Sequence, residues 1–110
     1  MIEKQVDVKT PDGVCDCELY YPSEQGSWPG IIMYPDIGGL RPVSRDMGKR
    51  LAAEGFVVLE PNPFYRVSRV PVYHDPFKFG EEKTAARMAE IRPSVTAAGA
   101  QRDAPAFVDF

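Results

Sequence analysis

The residues best suited to chemistry in this sequence stand at Pro35 to Gly39, directly after a short apolar run from Ile31 to Tyr34. That run has the length of a buried strand and is too short for a helix. A buried strand that ends in a glycine-rich turn is where α/β proteins place backbone amides that contact a ligand. Gly38 and Gly39 permit a left-handed backbone or a close approach to a ligand. The pattern therefore predicts either a ligand-binding turn or a strand-to-helix turn that needs glycine only for its geometry.

A second group of candidates lies between Glu60 and Gly80, a stretch interrupted by prolines and rich in aromatic residues. A loop this long in a compact domain usually serves a function, and it should leave the same rim of the sheet as Asp36 to Gly39. Arg66 and Arg69 are suited to bind an anionic group of a substrate, although solvated arginines are commoner. His74 is the single histidine, and its Tyr-His-Asp-Pro setting favours a turn over a catalytic base.

The two cysteines, Cys15 and Cys17, are alternate residues of a predicted strand. Alternate residues share a face of a strand, but their extended backbones would strain a disulfide bond between them. Two thiols are also too few ligands for a structural zinc site. We therefore predict reduced, packed cysteines, and the sequence implies neither a metal nor an organic cofactor.

The composition is that of one soluble domain, with 110 residues of which 44% are hydrophobic and 26% charged. A net charge of -3 gives no electrostatic support for binding to nucleic acid or to an anionic membrane. No apolar run approaches the roughly 18 residues of a membrane-spanning helix, and the first residues lack an apolar signal core. The expected location is therefore cytoplasmic.

The elements that position these candidates begin with an antiparallel hairpin. Val6 to Lys9 and Val14 to Tyr21 alternate apolar and polar residues, as half-buried strands do. The Pro-Asp-Gly sequence between them favours a tight bend. One face of the second strand should carry Cys15, Cys17, Leu19 and Tyr21.

A strand–helix–strand unit should follow the hairpin. Its helix should begin near Pro42 and stop at Gly55, between the apolar run at Ile31 and a second one at Phe56 to Leu59. The two strands are expected to be parallel, with a right-handed crossover. The apolar positions of the helix predict a buried face of Val43, Met47, Leu51 and Ala52. The residues expected to face away are Arg45, Asp46, Lys49, Arg50 and Glu54.

Two further helices complete the predicted elements. One spans Glu81 to Ile91, with acidic residues in its first turn. Ser94 is expected to cap a last helix that runs towards Phe110. Gly99 should weaken that helix, and Pro105 should kink or restart it.

Three segments, in their order and spacing, resemble the N-terminal half of the dienelactone hydrolase family, a branch of the α/β-hydrolases. They are the turn at Pro11 to Gly13, P-G-I-I-M-Y-P-D-I-G-G-L at Pro29 to Leu40, and A-A-E-G-F-V-V-L-E-P-N-P-F-Y-R at Ala52 to Arg66. The resemblance covers Val6 to Phe110. It implies a partial α/β-hydrolase-like fold, with an N-terminal antiparallel hairpin, a parallel βαβ unit and flanking helices. Residues 1–110 would then form the N-terminal half of one domain.

The family hydrolyses esters or lactones through a triad of nucleophile, histidine and aspartate. The resemblance implies that the backbone N–H of Ile37 stabilises the oxyanion of the transition state. It also implies that Asp36 helps to hold the surroundings of the nucleophile, where the best-known members carry the longer glutamate. Substrate contacts are expected from Gly38, Gly39, Arg66 and Arg69.

The sequence departs from the family at the reacting groups. The nucleophile elbow, G-x-C-x-G or G-x-S-x-G, does not occur in these residues, and the later triad aspartate and histidine are also missing. Cys15 and Cys17 lie in the hairpin and are not candidates for the nucleophile. The chain would carry one wall of an active site without its reacting groups.

Three explanations compete. In the first, the sequence is one piece of a longer or cleaved ester or lactone hydrolase whose C-terminal half holds a cysteine or serine nucleophile. The apolar ending at Phe110 favours this explanation, and it is the function predicted here. In the second, the chain is naturally truncated and non-catalytic, and it pairs with a second copy or another chain to cover an open sheet edge. In the third, it binds a small acid. Turnover of an activated ester separates the first explanation from the others.

Overall fold

The computed structural model describes residues 1–73 and 78–110. Within them the chain forms a mixed four-stranded sheet in the spatial order β1-β2-β4-β3, with helices packed on it. The strands are β1 (Ile2–Thr10), β2 (Gly13–Tyr21), β3 (Gly30–Ile32) and β4 (Val57–Pro61). The helices are α1 (Pro42–Ala53), α2 (Glu82–Ile91) and α3 (Ala97–Asp109), with a 3₁₀ turn at Arg92–Ser94. In the described parts of the chain, no helix has both the length and the apolar character needed to cross a membrane.

The predicted hairpin is confirmed. β1 and β2 pair antiparallel in a register that sets Val8 opposite Cys15 and Val6 opposite Cys17. The two cysteines are buried and free, as expected. They pack in one core cluster with Val8, Leu59 of β4 and Phe107 of α3. The alternating pattern therefore identified the face of β2 that forms this core.

The predicted strand–helix–strand unit is also confirmed, because β3 and β4 are parallel and α1 connects them, while the hand of the crossover stays a prediction. β4 pairs with β2 on its other side in an antiparallel register. β3 is shorter than the apolar run suggested and ends at Ile32, although Met33 still donates to the carbonyl of Leu59 at 2.9 Å. β4 continues to Pro61, so the first residues of the predicted loop belong to the strand.

The predicted buried face of α1 is wrong for its first two turns. Val43 and Met47, expected inside, are 51% and 54% exposed. The small residues of the helix lie against the sheet instead, and the buried positions are Ser44, Gly48 and Ala52. The reason is the face of β2 and β4 beneath α1, which carries the large side chains of Tyr20 and Glu60. These fill the space that larger helix residues would need.

The prediction that Arg45 faces away from the sheet is also wrong. Its Nε atom donates to Oε1 of Glu18 at 2.7 Å, and the Glu18 side chain is almost fully buried. The alternation of β2 indicated one buried face, but α1 covers the opposite face as well. A buried carboxylate there requires a cationic partner, and α1 supplies one.

One prediction for the C-terminal elements is corrected, and one is narrowed. The cap of α3 is Thr96, whose hydroxyl oxygen accepts from the N–H of Gly99 at 3.0 Å. Ser94 instead donates its hydroxyl to the carbonyl of Ile91. α3 contains Pro105 and continues to Asp109, so the helix does not restart there, and a kink at Pro105 stays a prediction. Burial of Phe107 in the core stabilises the turn that follows the proline.

Gly48→Ala should destabilise the fold. A Cβ atom at this position would lie 2.8 Å from Oε1 of Glu60 and 3.0 Å from Cδ2 of Tyr20. Because both side chains are buried, overpacking should lower the free energy of unfolding by about 1–3 kcal/mol and exceed the gain in helix propensity. Urea denaturation measures the change. Gly30→Ala is the matched control, since nothing lies within 4 Å of the added atom, and a Gly48→Ala variant as stable as this control would contradict the packing of α1.

Candidate functional site

The residues after β3 form a closed turn. The carbonyl of Asp36 accepts from the N–H of Gly39 at 2.9 Å, which leaves Ile37 and Gly38 at the centre of the turn. Gly39 has φ +74°, a left-handed conformation that favours glycine. A Cβ atom on Gly39 would lie 3.0 Å from Cγ2 of Val72. Gly39 is therefore required by the shape of the turn and by the loop packed against it.

The Asp36 carboxylate holds this turn to the start of α1. Its Oδ1 accepts from the N–H of Gly38 at 2.9 Å, and its two oxygens accept from the guanidinium of Arg41, the N-cap residue of α1. The hydrogen bond from Arg41, supported by that from Gly38, lowers the pKa of Asp36. A Cβ atom on Gly38 would lie 2.6 Å from Cζ of Arg41. A larger residue at position 38 would therefore force the guanidinium of Arg41 to shift from its present position.

The two backbone groups of Ile37 differ in their hydrogen bonds. Its carbonyl accepts from the hydroxyl of Tyr73 at 2.7 Å. Its N–H has no hydrogen-bond partner among residues 1–73 and 78–110. Ile37 is 37% exposed, so this residue of the turn lies at the surface, while Gly38 is buried. The position predicted for an oxyanion donor therefore carries an unpartnered amide, while the role of that amide stays a prediction.

The two candidate arginines already pair with carboxylates of the chain. Arg66 lies 2.7 Å from Oδ2 of Asp12 and 2.7 Å from Oδ1 of Asp103, and these partners raise its pKa. Arg69 pairs with Asp7 of β1 at 2.6 Å. A substrate carboxylate would have to share or displace these partners, and contact with a substrate stays a prediction for both arginines. His74 lies outside the described residues.

Two side chains that the sequence analysis did not select contact the turn instead. Arg41 binds Asp36, and its guanidinium lies 5.8 Å from the ring centre of Phe79. Tyr73 binds Ile37 across 36 positions of sequence. Arg41 could have been found, because an arginine five residues after an aspartate can reach back across a tight turn. No local spacing indicates the contact of Tyr73, because the packing of a long loop creates it.

A buried carboxylate lies beneath α1. Glu60 is fully buried and stands opposite Glu18 in the register of β4 and β2. In the described part of the chain, neither carboxylate oxygen of Glu60 has a hydrogen-bond partner. Glu18, by contrast, accepts from Arg45 and from the hydroxyl of Tyr20, each at 2.7 Å. Burial, with a smaller contribution from Glu18, raises the pKa of Glu60 to about 8.

Glu60 is therefore mostly protonated at neutral pH. The neutral form avoids the large cost of burying an unpaired charge beside a second carboxylate. In the sequence this residue appears only as the acid that ends an apolar run and opens a proline-rich stretch. Its burial depends on the cover that α1 provides, which the residue pattern of β4 does not show.

Comparisons with known proteins agree with this architecture. The model of the dienelactone hydrolase family matches residues 16–105. A crystal structure from Klebsiella pneumoniae subsp. pneumoniae MGH 78578, assigned to the dienelactone hydrolases, is similar with a TM-score of 0.76 and 20% sequence identity. The similarity covers 98% of this chain and 42% of that one, so the chain spans less than half the length of that structure.

A dienelactone hydrolase-like promiscuous phosphotriesterase from metagenomic libraries is similar at a TM-score of 0.48 and 19% identity. That match covers 88% of this chain and 44% of the other. No curated protein matches the sequence. The similarity to the Klebsiella structure, at 20% identity, shows the fold alone. The assignment to a family rests on the match to the family model.

The protein should lose stability as the pH rises through the range in which Glu60 ionises. Its pKa is 4.5 in the unfolded reference and about 8 in the folded chain, so the folded state binds this proton more tightly. The contribution is fully present below about pH 4.5 and is lost by about pH 8, with a magnitude of up to ~5 kcal/mol. Urea denaturation between pH 5 and pH 8.5 measures this slope.

Glu60→Gln keeps the size of the side chain and cannot ionise. This variant should therefore have a flatter pH dependence than the natural protein and greater stability at pH 8. Glu54→Gln, an exposed change at the end of α1, is the control and should leave the slope unchanged. An identical slope in the Glu60→Gln variant and the natural protein would contradict the assignment.

Proposed function

Since the chain belongs to the dienelactone hydrolase family, we propose that the complete protein hydrolyses an ester or a lactone. Residues 1–110 would be the N-terminal half of its single domain and would supply the oxyanion side of the active site. The nucleophile and the triad aspartate and histidine would lie in the remaining part. The similar Klebsiella structure supports this division, because the present chain spans only 42% of its length.

The observation that carries the proposal is the unpartnered N–H of Ile37 in a turn directly after a parallel strand. When a nucleophile attacks an ester carbonyl, negative charge develops on the carbonyl oxygen. A fixed amide donor stabilises that charge more than it stabilises the uncharged substrate, by roughly 3 kcal/mol for one good donor. The carboxyl end of parallel strands is also where α/β proteins bind ligands.

The pairing of Asp36 supports the same role. A free carboxylate beside an oxyanion would oppose its formation through charge repulsion. Here Arg41 balances the charge of Asp36, so the turn offers the amide of Ile37 without a strong local negative field. We propose that Asp36 supports catalysis by shaping the turn and that Gly38 and Gly39 permit that shape.

A second candidate is a non-catalytic chain that associates with a second copy of itself. Among the described strands, β3 stands at one end of the sheet and pairs only with β4. A groove of about 480 Å³ lies beside it, with mostly apolar lining that includes Leu19, Ile31, Ile32, Leu59 and Phe107. An open strand edge with apolar neighbours is suited to pairing with another strand. Sedimentation velocity over a range of concentrations would show a dimer, and dimers without esterase activity would favour this candidate.

Ile37→Pro in the complete protein tests the proposed amide. Proline removes the N–H and is well accepted at the second position of a tight turn. The kcat for hydrolysis of p-nitrophenyl acetate should fall by about 10²–10³-fold with little change in KM, because the lost interaction is strongest in the transition state.

Ile37→Val is the matched control, since it alters the side chain and keeps the amide. Its kcat should stay close to that of the natural protein. Unchanged turnover in the proline variant would remove Ile37 from the mechanism. Failure of the natural protein to hydrolyse any activated ester or lactone would remove the hydrolase proposal itself.

A further inference from the structure

Both peptide groups that flank Ile37 are held by hydrogen bonds. The peptide between Asp36 and Ile37 is fixed at its carbonyl, which accepts from Gly39 at 2.9 Å. A peptide group is planar, so fixing this carbonyl also fixes the direction of the Ile37 N–H on its opposite side. The next peptide is held at both ends, by Tyr73 at its carbonyl and by Asp36 at the N–H of Gly38.

Tyr73 is the one of these partners that comes from outside the turn. It reaches the turn from the loop after β4 and is only 9% exposed. Its ring packs in a core cluster with Phe64, Val72 and Ile91 of α2. Arg87 of α2 also donates to the carbonyl of Val72 at 2.7 Å. The phenol is thus attached to a rigid support, in contrast to the exposed carboxylate of Asp36.

We propose that Tyr73 is a positioning residue for the oxyanion donor: its hydroxyl holds the carbonyl of Ile37 and so keeps the turn in the shape in which the hydrogen bond between Asp36 and Gly39 directs the N–H of Ile37 towards the substrate. The inference rests on the proposed function. It adds a residue that does not touch the substrate and acts through the backbone of the turn. An amide fixed before the reaction needs no reorganisation as charge develops, which is the condition for strong oxyanion stabilisation.

The chemistry of the phenol suits this role. A tyrosine hydroxyl that donates to a carbonyl must keep its proton at the working pH. Burial is the largest cause that raises the pKa of Tyr73, and the charge of Asp36 adds to it, while Arg87 and Arg41 act in the opposite direction. The net shift is upwards, so the hydroxyl stays a donor through the neutral and mildly alkaline range.

Amide hydrogen exchange in the natural, complete protein gives the first test, and it needs no variant. The N–H groups of Gly38 and Gly39 donate within the turn and should exchange slowly, while the N–H of Ile37 should exchange at least about tenfold faster. Similar exchange rates at all three positions would mean that the turn is not held, and the inference would be overturned.

Tyr73→Phe removes only the hydroxyl and keeps the ring in its cluster. Exchange at Gly38 and Gly39 should become faster, and kcat for p-nitrophenyl acetate should fall by about tenfold with KM unchanged, because a loosened donor is misplaced in the transition state. Tyr65→Phe is the matched control. Its phenol bonds to Thr10 and Asp103, away from the turn, so it should leave kcat and exchange at the turn unaltered.

The outcomes separate this inference from the proposed function. Unchanged exchange at the turn in Tyr73→Phe would overturn the inference, whatever the activity. Faster exchange with normal kcat, in a protein that Ile37→Pro inactivates, would also overturn it and leave the oxyanion role of Ile37 intact. If Ile37→Pro remains fully active, the proposed oxyanion role fails first, and the positioning role fails with it.

Discussion

The double pairing of β4 is the constraint on which the described structure depends. One edge of this strand binds β2 antiparallel and the other binds β3 parallel, so β4 joins the hairpin to the crossover unit. Directly after it stands Asn62, which is fully buried. Its backbone N–H donates to the carbonyl of Asp16, and its amide group binds Asp16, Phe64 and Ser68. A buried amide with all these partners gives the loop after β4 one defined path as it leaves the sheet.

That path connects the sheet to the candidate site. The carboxylate of Asp16 also accepts from the N–H of Val70 at 2.8 Å, and the chain then reaches Val72 and Tyr73. Val72 packs against Gly39, and Tyr73 binds Ile37. The shape of the turn after β3 is therefore set partly by residues of the hairpin and partly by the loop after β4. This dependence explains why the turn can present an unpartnered amide in a fixed direction although Ile37 itself lies at the surface.

The sequence predicts the features that arise from local periodicity. Alternation identified the hairpin, and two apolar runs around an amphipathic segment identified the parallel crossover. The buried face of α1 could not be found in the same way. Hydrophobicity favoured Val43 and Met47, whereas the bulk of Tyr20 and Glu60 on the sheet selected the small residues of the helix. The position of Ile37 came from the resemblance to a family, and its support by Tyr73 depends on a contact between distant segments that no spacing rule describes.

The proposed function also determines on which side of the described sheet the nucleophile must lie. Ile37 lies in the turn after β3, and β3 is the end strand of the described sheet, with β4 and the hairpin on its inner side. A nucleophile that attacks a carbonyl bound at this amide must stand within about 3 Å of the carbonyl carbon. The space beside β3 is lined mostly by apolar groups, and a further strand paired there parallel to β3 would end next to the turn at the same rim of the sheet. Under the proposed function, a single element would meet two needs. It would cover the apolar groove beside β3, and it would carry the nucleophile to the substrate bound at the amide of Ile37.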